Sequence, residues 1–175
     1  MGLKLLEASP DDAPAIADLR NAAAVDLTER HGQGPWTGSC TAKGVLFDLR
    51  TSRVFIARRR GRILATLRLA TKKPWAIDRS YFTPCDRPLY LTSMAVAPEL
   101  QRQGIGRQCL EAVDDLARRW PADAVLLDAF DHAAAGAGEF YRKCGYREVG
   151  RVTYRKVPLI YFERAMPSPG GLGPR

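Results

Sequence analysis

Apolar residues recur along the chain with two spacings, and the spacing separates predicted strands from predicted helices. Short runs that alternate or are continuously apolar, and that are rich in β-branched and aromatic residues, favour strands. Such runs occur at residues 3–8, 53–59, 62–70, 89–98, 124–130, 147–155 and 158–166. The second and third runs flank Arg60 and Gly61, which predicts a hairpin turn between them.

Apolar residues at helical spacing predict four helices among these strands. The first begins with Ser9 as N-cap and Pro10 as its first residue, and its apolar face continues to about Leu27. A short helical segment follows near "KGVLFDLR", and a longer amphipathic one spans about 104–120. The last, "DHAAAGAGEFYRKCGY", ends at Gly145, since an α-helix often ends at a glycine in the left-handed conformation.

Strands interleaved with helices predict an α/β protein, of the α+β mixed-sheet kind, with one domain over residues 1–166. The tail at 167–175, "PSPGGLGPR", is expected to be disordered. One connection, at residues 71–88, is longer than most loops in compact domains, which favours a functional role for it.

The composition mainly indicates what kind of partner to expect. The chain has 175 residues, 46% hydrophobic and 26% charged, which is typical of a globular protein. Its net charge of +8 favours an anionic partner, and nucleic acid, a membrane surface and a phosphate-bearing small molecule all fit that charge. No apolar run approaches the ~20 residues of a membrane span, and the first residues lack the pattern of a secretion signal, so a cytoplasmic location is expected.

The four cysteines lie far apart, form no CxxC pair and are accompanied by only two histidines. No zinc-site spacing results from this set. We therefore expect no metal and interpret the cysteines as reduced thiols.

Two glycines stand at the start of the third predicted helix, a position where glycine usually disfavours helix formation. The spacing is Gln101-x-x-Gly104-x-Gly106, without the third glycine of a Rossmann fingerprint and without a Walker string. A helix N-terminus presents unpaired N–H groups, and residues without a Cβ let an anion approach them. The turn therefore predicts a diphosphate site, supported by the flanking Arg102 and Arg107.

The strand at 89–98, the turn "QRQGIG" and the later "AGEFYRKCGY" together resemble the GCN5-related N-acetyltransferase (GNAT) superfamily. Its members carry [Gln/Arg]-x-x-Gly-x-[Gly/Ala] and often Ala-x-x-Phe-Tyr…Gly-[Phe/Tyr] on the next helix. This chain matches the second pattern at Ala137, Phe140, Tyr141, Gly145 and Tyr146. The resemblance covers roughly residues 3–166 and implies a GNAT-type fold, a mixed and mostly antiparallel sheet of about seven strands flanked by about four helices.

The resemblance also implies acetyl-CoA as the co-substrate and assigns its contacts by position. The strand before the turn separates from its neighbour, and the backbone of Met94, Ala95 and Val96 binds the pantetheine arm like an added strand. The diphosphate is expected at Gln101, Arg102, Gln103, Gly104, Ile105, Gly106 and Arg107. The candidates for the 3′-phosphate contact are Arg102, Arg107, Arg142 and Lys143.

The implied reaction is direct acetyl transfer from the thioester to an amine, with both reactants bound together. A backbone N–H near Met94 is expected to polarise the thioester carbonyl. Tyr141 is expected to assist departure of the thiolate through a hydrogen bond that strengthens as charge develops. Core packing is the alternative role for Tyr141.

A protonated amine must lose a proton, so the reaction also needs a base. Some relatives use a glutamate on the strand before the turn, but this chain has no carboxylate there. Asp128, in an otherwise apolar strand, is the candidate base, with a capping or hydrogen-bonded structural aspartate as the alternative, and Glu29 is a second candidate. Many relatives have Asn at the position of Ala134, and Asp131 or His132 is the candidate replacement.

The acceptor is expected to be a primary amine on a small molecule or a peptide. The irregular segments 28–40 and 72–88 are the candidate acceptor loops, and aromatic residues in such segments suit a pocket, with lid packing as the alternative. The residues concerned are Trp36, Trp75, Tyr81 and Phe82, with Asp78 and Asp86 suited to attract a cationic amine.

Two other functions stay open on the sequence. The basic hairpin "IARRRGR" suits a nucleic-acid-binding module, although no helix-turn-helix or RNA-recognition pattern accompanies it, so nucleic acid is not expected as a partner. The second alternative is a GNAT-fold protein that binds CoA without catalysis. The apolar last strands are compatible with a homodimer, and no membrane association is expected.

Overall fold

The computed structural model describes residues 2–167, so the predicted tail lies, from residue 168 onward, outside the described residues. The strands of this range are β1 Leu5–Glu7, β2 Arg53–Arg59, β3 Arg62–Ala70, β4 Pro88–Val96, β5 Ala124–Phe130, β6 Arg147–Tyr154 and β7 Val157–Ala165. Its α-helices are α1 Ala13–His31, α2 Ala42–Thr51, α3 Ile105–Arg119 and α4 Ala137–Lys143. The prediction of a mixed α/β fold with seven strands and four helices is confirmed.

The strands form one sheet in the order β1-β2-β3-β4-β5-β7-β6. Five of its neighbouring pairs are antiparallel, and the central pair, β4 with β5, is parallel. A parallel pair needs a crossover connection, which α3 provides here. The sheet is therefore mixed and mostly antiparallel, as the resemblance implied.

Each face of the sheet has its own apolar core. On one face, α3 and α4 cover side chains that include Leu91, Leu127 and Phe162. On the other face, α1 and α2 pack on β2 and β3, and the connection at 71–87 packs on Tyr90, Leu126 and Tyr161. We call these the α3/α4 face and the α1/α2 face.

The first helix differs from its prediction at both ends. Ser9 and Asp12 form a capping box, but they start a 3₁₀ turn at Pro10–Asp12, and α1 itself begins only at Ala13. At its other end α1 continues beyond the predicted Leu27 to His31, because aromatic contacts described below hold the last turn on the sheet. Tertiary packing thus extends the helix past its own apolar period.

The long connection at 71–87 covers the α1/α2 face of β4, β5 and β7. The Tyr161 hydroxyl donates to the Ala76 carbonyl and accepts from the Asp78 N–H, and Thr83 donates through its N–H to Glu163 at 2.9 Å. The Phe82 ring is buried among these strands, so its role is packing. Trp75, by contrast, is 86% exposed and makes no such contribution.

No helix within residues 2–167 is both long and apolar enough to cross a membrane.

Candidate active site

The two central strands are paired only at their beginnings. β4 and β5 pair from Pro88–Ala124 to Tyr90–Leu126, while β4 stays paired with β3 up to Val96 and β5 with β7 up to Phe130. Because each strand is held by its outer neighbour, a gap opens between them toward their C-terminal ends. Among the strands of residues 2–167, none pairs with the main chain of β4 that faces this gap.

A bulge in β4 lies beside the gap. Ser93 is exposed and has a φ of 51°, and the register with β3 shifts between Thr66 and Arg68. A left-handed conformation at a residue other than glycine costs about 1 kcal/mol or more, and such strain is concentrated at functional sites. The bulge changes the direction of the main chain at Met94–Val96, where the pantetheine arm was expected.

The turn between β4 and α3 is a loop of free backbone donors. No backbone N–H from Arg102 to Arg107 donates to an acceptor within residues 2–167. Gly104 has a φ of 80°, and among the described residues a Cβ there would meet only the Gln108 amide nitrogen, at 3.9 Å. A glycine therefore both permits this conformation and leaves the donors open to an anion.

Gly106 serves a different purpose from the one expected. We predicted that its missing Cβ makes room for the anion, but a Cβ at Gly106 would lie 3.0 Å from Cζ of Phe140 and 3.7 Å from Cε of Met94. The space is therefore used by the protein itself. Gly106 lets the first turn of α3 approach the Phe140 ring of α4. The glycine turn and the Phe-Tyr motif, which together carry the resemblance, are therefore in contact.

Three side chains of the turn do not face the donors. The Gln101 side-chain amide donates to the Val96 carbonyl at 3.3 Å, and that of Gln103 donates to the Glu99 carbonyl at 2.9 Å. The Ile105 side chain is buried in the core of the α3/α4 face. Side chains thus brace the loop from within, and its backbone provides the anion site.

The four cations considered for the 3′-phosphate differ in their partners. Arg107 donates to the Lys143 carbonyl at 3.1 Å, Arg142 pairs with Glu148 at 2.7 Å, and Lys143 lies 3.6 Å from a carboxylate oxygen of Glu139. Arg102 is exposed, has a φ of 61° and has no ion pair within the range that the structure describes. Arg102 is therefore the cation of this set that is available to a phosphate.

Replacing Arg102 by alanine is expected to weaken acetyl-CoA binding about fivefold at low salt, since an exposed charge pair contributes about 1 kcal/mol. The difference from the wild type should shrink at 0.5 M salt, because the Debye length falls to a few ångströms. Calorimetric titration at two salt concentrations measures this. Arg50→Ala, at the exposed end of α2, is the matched control; equal weakening in both variants would contradict the assignment.

Tyr141 is a half-buried residue whose ring packs against three other aromatic rings. Its ring centroid lies 5.2 Å from that of Phe140, 5.7 Å from that of Tyr146 and 5.6 Å from that of Phe162. The hydroxyl has no hydrogen-bond partner within residues 2–167, yet it keeps access to solvent. Burial raises the pKa of Tyr141 well above its ordinary value, and the nearby Asp128 charge raises it further. Tyr141 is thus a neutral hydrogen-bond donor held rigidly from the α3/α4 face.

Asp128 lies on β5 just beyond the point where β4 and β5 separate. It pairs in register with Tyr161 and, two residues after Leu126, occupies the α1/α2 face. Its carboxylate makes no hydrogen bond or ion pair within the described residues, and burial raises the pKa of Asp128 above its ordinary value. The alternative of a hydrogen-bonded structural aspartate has no support in these contacts.

The other acidic candidates lie in less suitable surroundings. Glu29 is exposed on α1, and the Asp78 carboxylate accepts from the Ser80 N–H at 3.0 Å as part of the 71–87 connection. Asp131 pairs with Arg151 at 3.2 Å, and the His132 ring accepts from the Ala135 N–H at 3.1 Å. Asp131 and His132, the candidate replacements for the asparagine that many relatives have at position 134, thus each already have a protein partner.

Trp36, predicted to lie in an acceptor loop, packs against aromatic residues that the sequence did not indicate. Its indole ring packs edge-on against Phe130 at 5.2 Å and near His132 at 6.2 Å, and the His31 and His132 rings are 5.7 Å apart. These four residues, His31, Trp36, Phe130 and His132, form what we call the aromatic cluster. It joins the end of α1 to the end of β5 beside the gap, a contact between distant segments that no local pattern signals.

The basic hairpin is partly neutralised. Arg58 pairs with Asp12 and Arg62 with Glu99. The Arg62 contact ties the hairpin to the segment that precedes the diphosphate loop. These pairs favour a structural use of the hairpin charges over a nucleic-acid surface.

A cavity of about 1040 Å³ lies at the other end of the sheet, away from the gap. Two of the arginines in its wall are engaged, Arg147 with Glu163 and Arg164 with Asp114. The described residues that line this cavity include no run of unpaired backbone donors like the loop at 102–107.

Comparison with known proteins agrees with this geometry. A family model for the acetyltransferase (GNAT) domain matches residues 50–148. No curated protein matches the chain.

Solved structures share the fold over nearly the whole chain. A ribosomal-protein-alanine N-acetyltransferase from Brucella melitensis is 19% identical with a TM-score of 0.70, covering 94% of this chain and 100% of its own. The ribosomal-protein-S18-alanine N-acetyltransferase from Escherichia coli is 17% identical with a TM-score of 0.70, covering 98% and 99%. The structure of yncA from Salmonella typhimurium with its cofactor acetyl-CoA is 17% identical with a TM-score of 0.68, covering 96% of each chain.

Proposed function

The chain belongs to the GNAT acetyltransferase family, and we propose that it transfers the acetyl group of acetyl-CoA directly to a primary amine within a ternary complex. The observation that carries this proposal is the gap between β4 and β5, with free backbone donors at its open end. Asp128 and Tyr141 flank it from opposite faces. Two reactants can then approach one carbonyl from two sides, as direct transfer requires.

The residues present fit acetyl-CoA. The N–H groups from Arg102 to Arg107 would bind the diphosphate, with Arg102 adding charge, and the open edge of β4 at Met94–Val96 would bind the pantetheine arm as an additional strand. When bound, acetyl-CoA supplies an activated acetyl thioester. A backbone N–H near Met94 would polarise its carbonyl, since the bulge at Ser93 redirects the main chain there.

Proton transfer is assigned to the two side chains beside the gap. Asp128 accepts a proton from the attacking amine, and a raised pKa makes its carboxylate a stronger base than an ordinary aspartate. Tyr141 donates a hydrogen bond to the departing sulfur. Because an unperturbed phenol is weaker as an acid than a thiol by about 2 kcal/mol, and burial increases that difference, we assign hydrogen bonding rather than complete proton transfer before the C–S bond breaks.

The acceptor is a primary amine on the α1/α2 face, where the aromatic cluster and the 71–87 connection border the gap. Two structural neighbours are named as acetyltransferases of a ribosomal-protein alanine. A peptide α-amine has a pKa of about 8 and is partly neutral at pH 7, whereas a lysine-like amine needs a base more. Both classes therefore belong in the acceptor test.

The test is release of free thiol from acetyl-CoA in the presence of a panel of amines. The panel contains small alkylamines, lysine derivatives and short peptides that begin with alanine, and the same peptides with a blocked amino group are the control. We expect release only with a free amine, and initial-rate lines that intersect, as a ternary complex requires. Acetyl-CoA binding without release for any amine would favour the inactive alternative, and salt-sensitive oligonucleotide binding without acetyl-CoA binding would favour the nucleic-acid alternative.

A further inference from the structure

We propose that Arg30, in the last turn of α1, is a positioning residue for acetyl-CoA binding that acts through Gln101. The inference rests on the proposed function of the loop at 102–107. Arg30 is distant from that loop in sequence and belongs to no motif.

Arg30 makes the contact that joins α1 to the loop. Its terminal nitrogen Nη2 donates to the Gln101 side-chain oxygen at 3.2 Å and to the Asp26 carboxylate at 2.5 Å. The Gln101 side-chain nitrogen in turn donates to the Val96 carbonyl at 3.3 Å. A continuous chain of hydrogen bonds therefore runs from α1, through the first residue of the turn, to the last residue of β4.

The last turn of α1 is held in place independently of Arg30. The aromatic cluster fixes His31 against His132, with ring centroids 5.7 Å apart, and the Trp36 indole N–H donates to the Gly32 carbonyl at 3.3 Å. Arg30 and His31 thus reach the two sides of the gap, Arg30 the β4 side and His31 the β5 side. Because the helix end is already fixed, the Arg30 bond orders only one side chain, which limits its entropic cost.

The loop needs such a support because Arg102 is strained and Gly104 is conformationally permissive. Arg102 and Gly104 adopt φ angles of 61° and 80°, and the N–H groups that they help to aim have no other protein partner within residues 2–167. A free loop could relax to other conformations, and binding would then have to restore the open one. Fixing Gln101 at the start of the turn preorganises the donors, so the loss of Arg30 should appear as weaker acetyl-CoA binding.

The test compares Arg30→Ala, Gln101→Ala and the double variant by calorimetry with acetyl-CoA and by steady-state kinetics. We expect Arg30→Ala to raise the Kd and KM of acetyl-CoA about tenfold, the effect of about one hydrogen bond to a charged group, with kcat and the KM of the amine within about twofold. In the Gln101→Ala background, removing Arg30 should change the Kd less than about twofold, because its partner is already absent. Arg30→Lys should restore part of the affinity.

Arg118→Ala is the control, since Arg118 also pairs within its own helix, with Asp115 at 2.8 Å, in the last turn of α3. It should leave Kd and KM unchanged. Equal losses for Arg30→Ala in both backgrounds would show that Arg30 acts by its charge alone and would overturn the proposal, as would an unchanged Kd. Failure of the proposed function is a separate result, because the wild type itself would then bind no acetyl-CoA, or would bind it and release no thiol with any amine.

Discussion

Asp128→Asn is expected to lower kcat by about 10²–10³-fold at pH 7, the usual effect of losing a general base. Asparagine has nearly the same shape but cannot accept the proton of an ammonium acceptor. The affinity for acetyl-CoA should change little, since the expected cofactor contacts are on β4 and the turn. Stopped assays of thiol release at saturating acetyl-CoA measure the effect on kcat.

The pH dependence of kcat/KM distinguishes a general base at Asp128 from a residue that takes no part in proton transfer. With Asp128 as base, kcat/KM for an alkylamine should form a plateau between the pKa of Asp128, raised by burial above its ordinary ~3.9, and that of the amine near 10.4. The asparagine variant depends on amine that is already neutral, so its kcat/KM should keep rising up to about pH 10. A variant whose profile keeps the wild-type plateau would remove Asp128 from the mechanism.

Asp128→Asn should raise the stability of the fold while it lowers kcat. A carboxyl group whose pKa is raised in the folded state binds its proton more tightly there than in the unfolded chain, so stability is highest below the ordinary pKa and falls as pH rises through the raised one. No charge or hydrogen bond within residues 2–167 offsets this effect of burial on Asp128. Asp128→Asn should therefore raise the Tm at pH 7, and the gain should shrink toward low pH.

Asp123, immediately before β5, is the matched control. Its carboxylate accepts from the Arg87 N–H at 2.8 Å and pairs with the Arg87 guanidinium, whose hydrogen bond lowers the pKa of Asp123. Asp123→Asn should lower the Tm and leave kcat unchanged. If Asp128→Asn behaved in the same way, Asp128 would be a structural residue.

The sequence predicted most of the elements because their signals are local. The strands follow from alternating and apolar runs, the hairpin turn from Arg60 and Gly61, and the end of α4 from Gly145, which has the left-handed φ of 86° that was expected. The diphosphate turn was also found from a short spacing, since a helix N-terminus needs only a few residues to expose its N–H groups. Local chemistry determines these features, so a single sequence is enough to find them.

The remaining features depend on contacts between distant segments. The prediction placed both glycines at the anion, but the Phe140 ring occupies the space beside Gly106, and Phe140 belongs to another helix. The contact of Arg30 with Gln101 spans 71 residues and has no periodic signature. The length of α1 was underestimated for the same reason, because the aromatic cluster that holds its last turn is formed by residues of three segments.

Tyr141→Phe is expected to lower kcat about 100-fold while the Kd of acetyl-CoA stays within about twofold, since only the developing charge on sulfur uses the hydroxyl. The ring contacts remain, so folding should be unaffected. Because the pKa of Tyr141 is raised by burial, the phenol stays protonated up to high pH, and the wild-type kcat should show no loss between pH 8 and about pH 10. Single-turnover assays with excess enzyme measure the chemical step directly.

Tyr146→Phe provides the matched control, because Tyr146 lies against Tyr141 but its hydroxyl is buried and has no partner within residues 2–167. Removing an unsatisfied buried hydroxyl should leave kcat unchanged and keep or raise the Tm. The two rings are neighbours and differ in burial, since Tyr146 is buried with its hydroxyl whereas Tyr141 is half-buried and its hydroxyl reaches accessible space. Equal kcat values for Tyr141→Phe and the wild type would therefore assign Tyr141 to packing alone, and departure of the thiolate would then depend on solvent or on backbone donors of the gap.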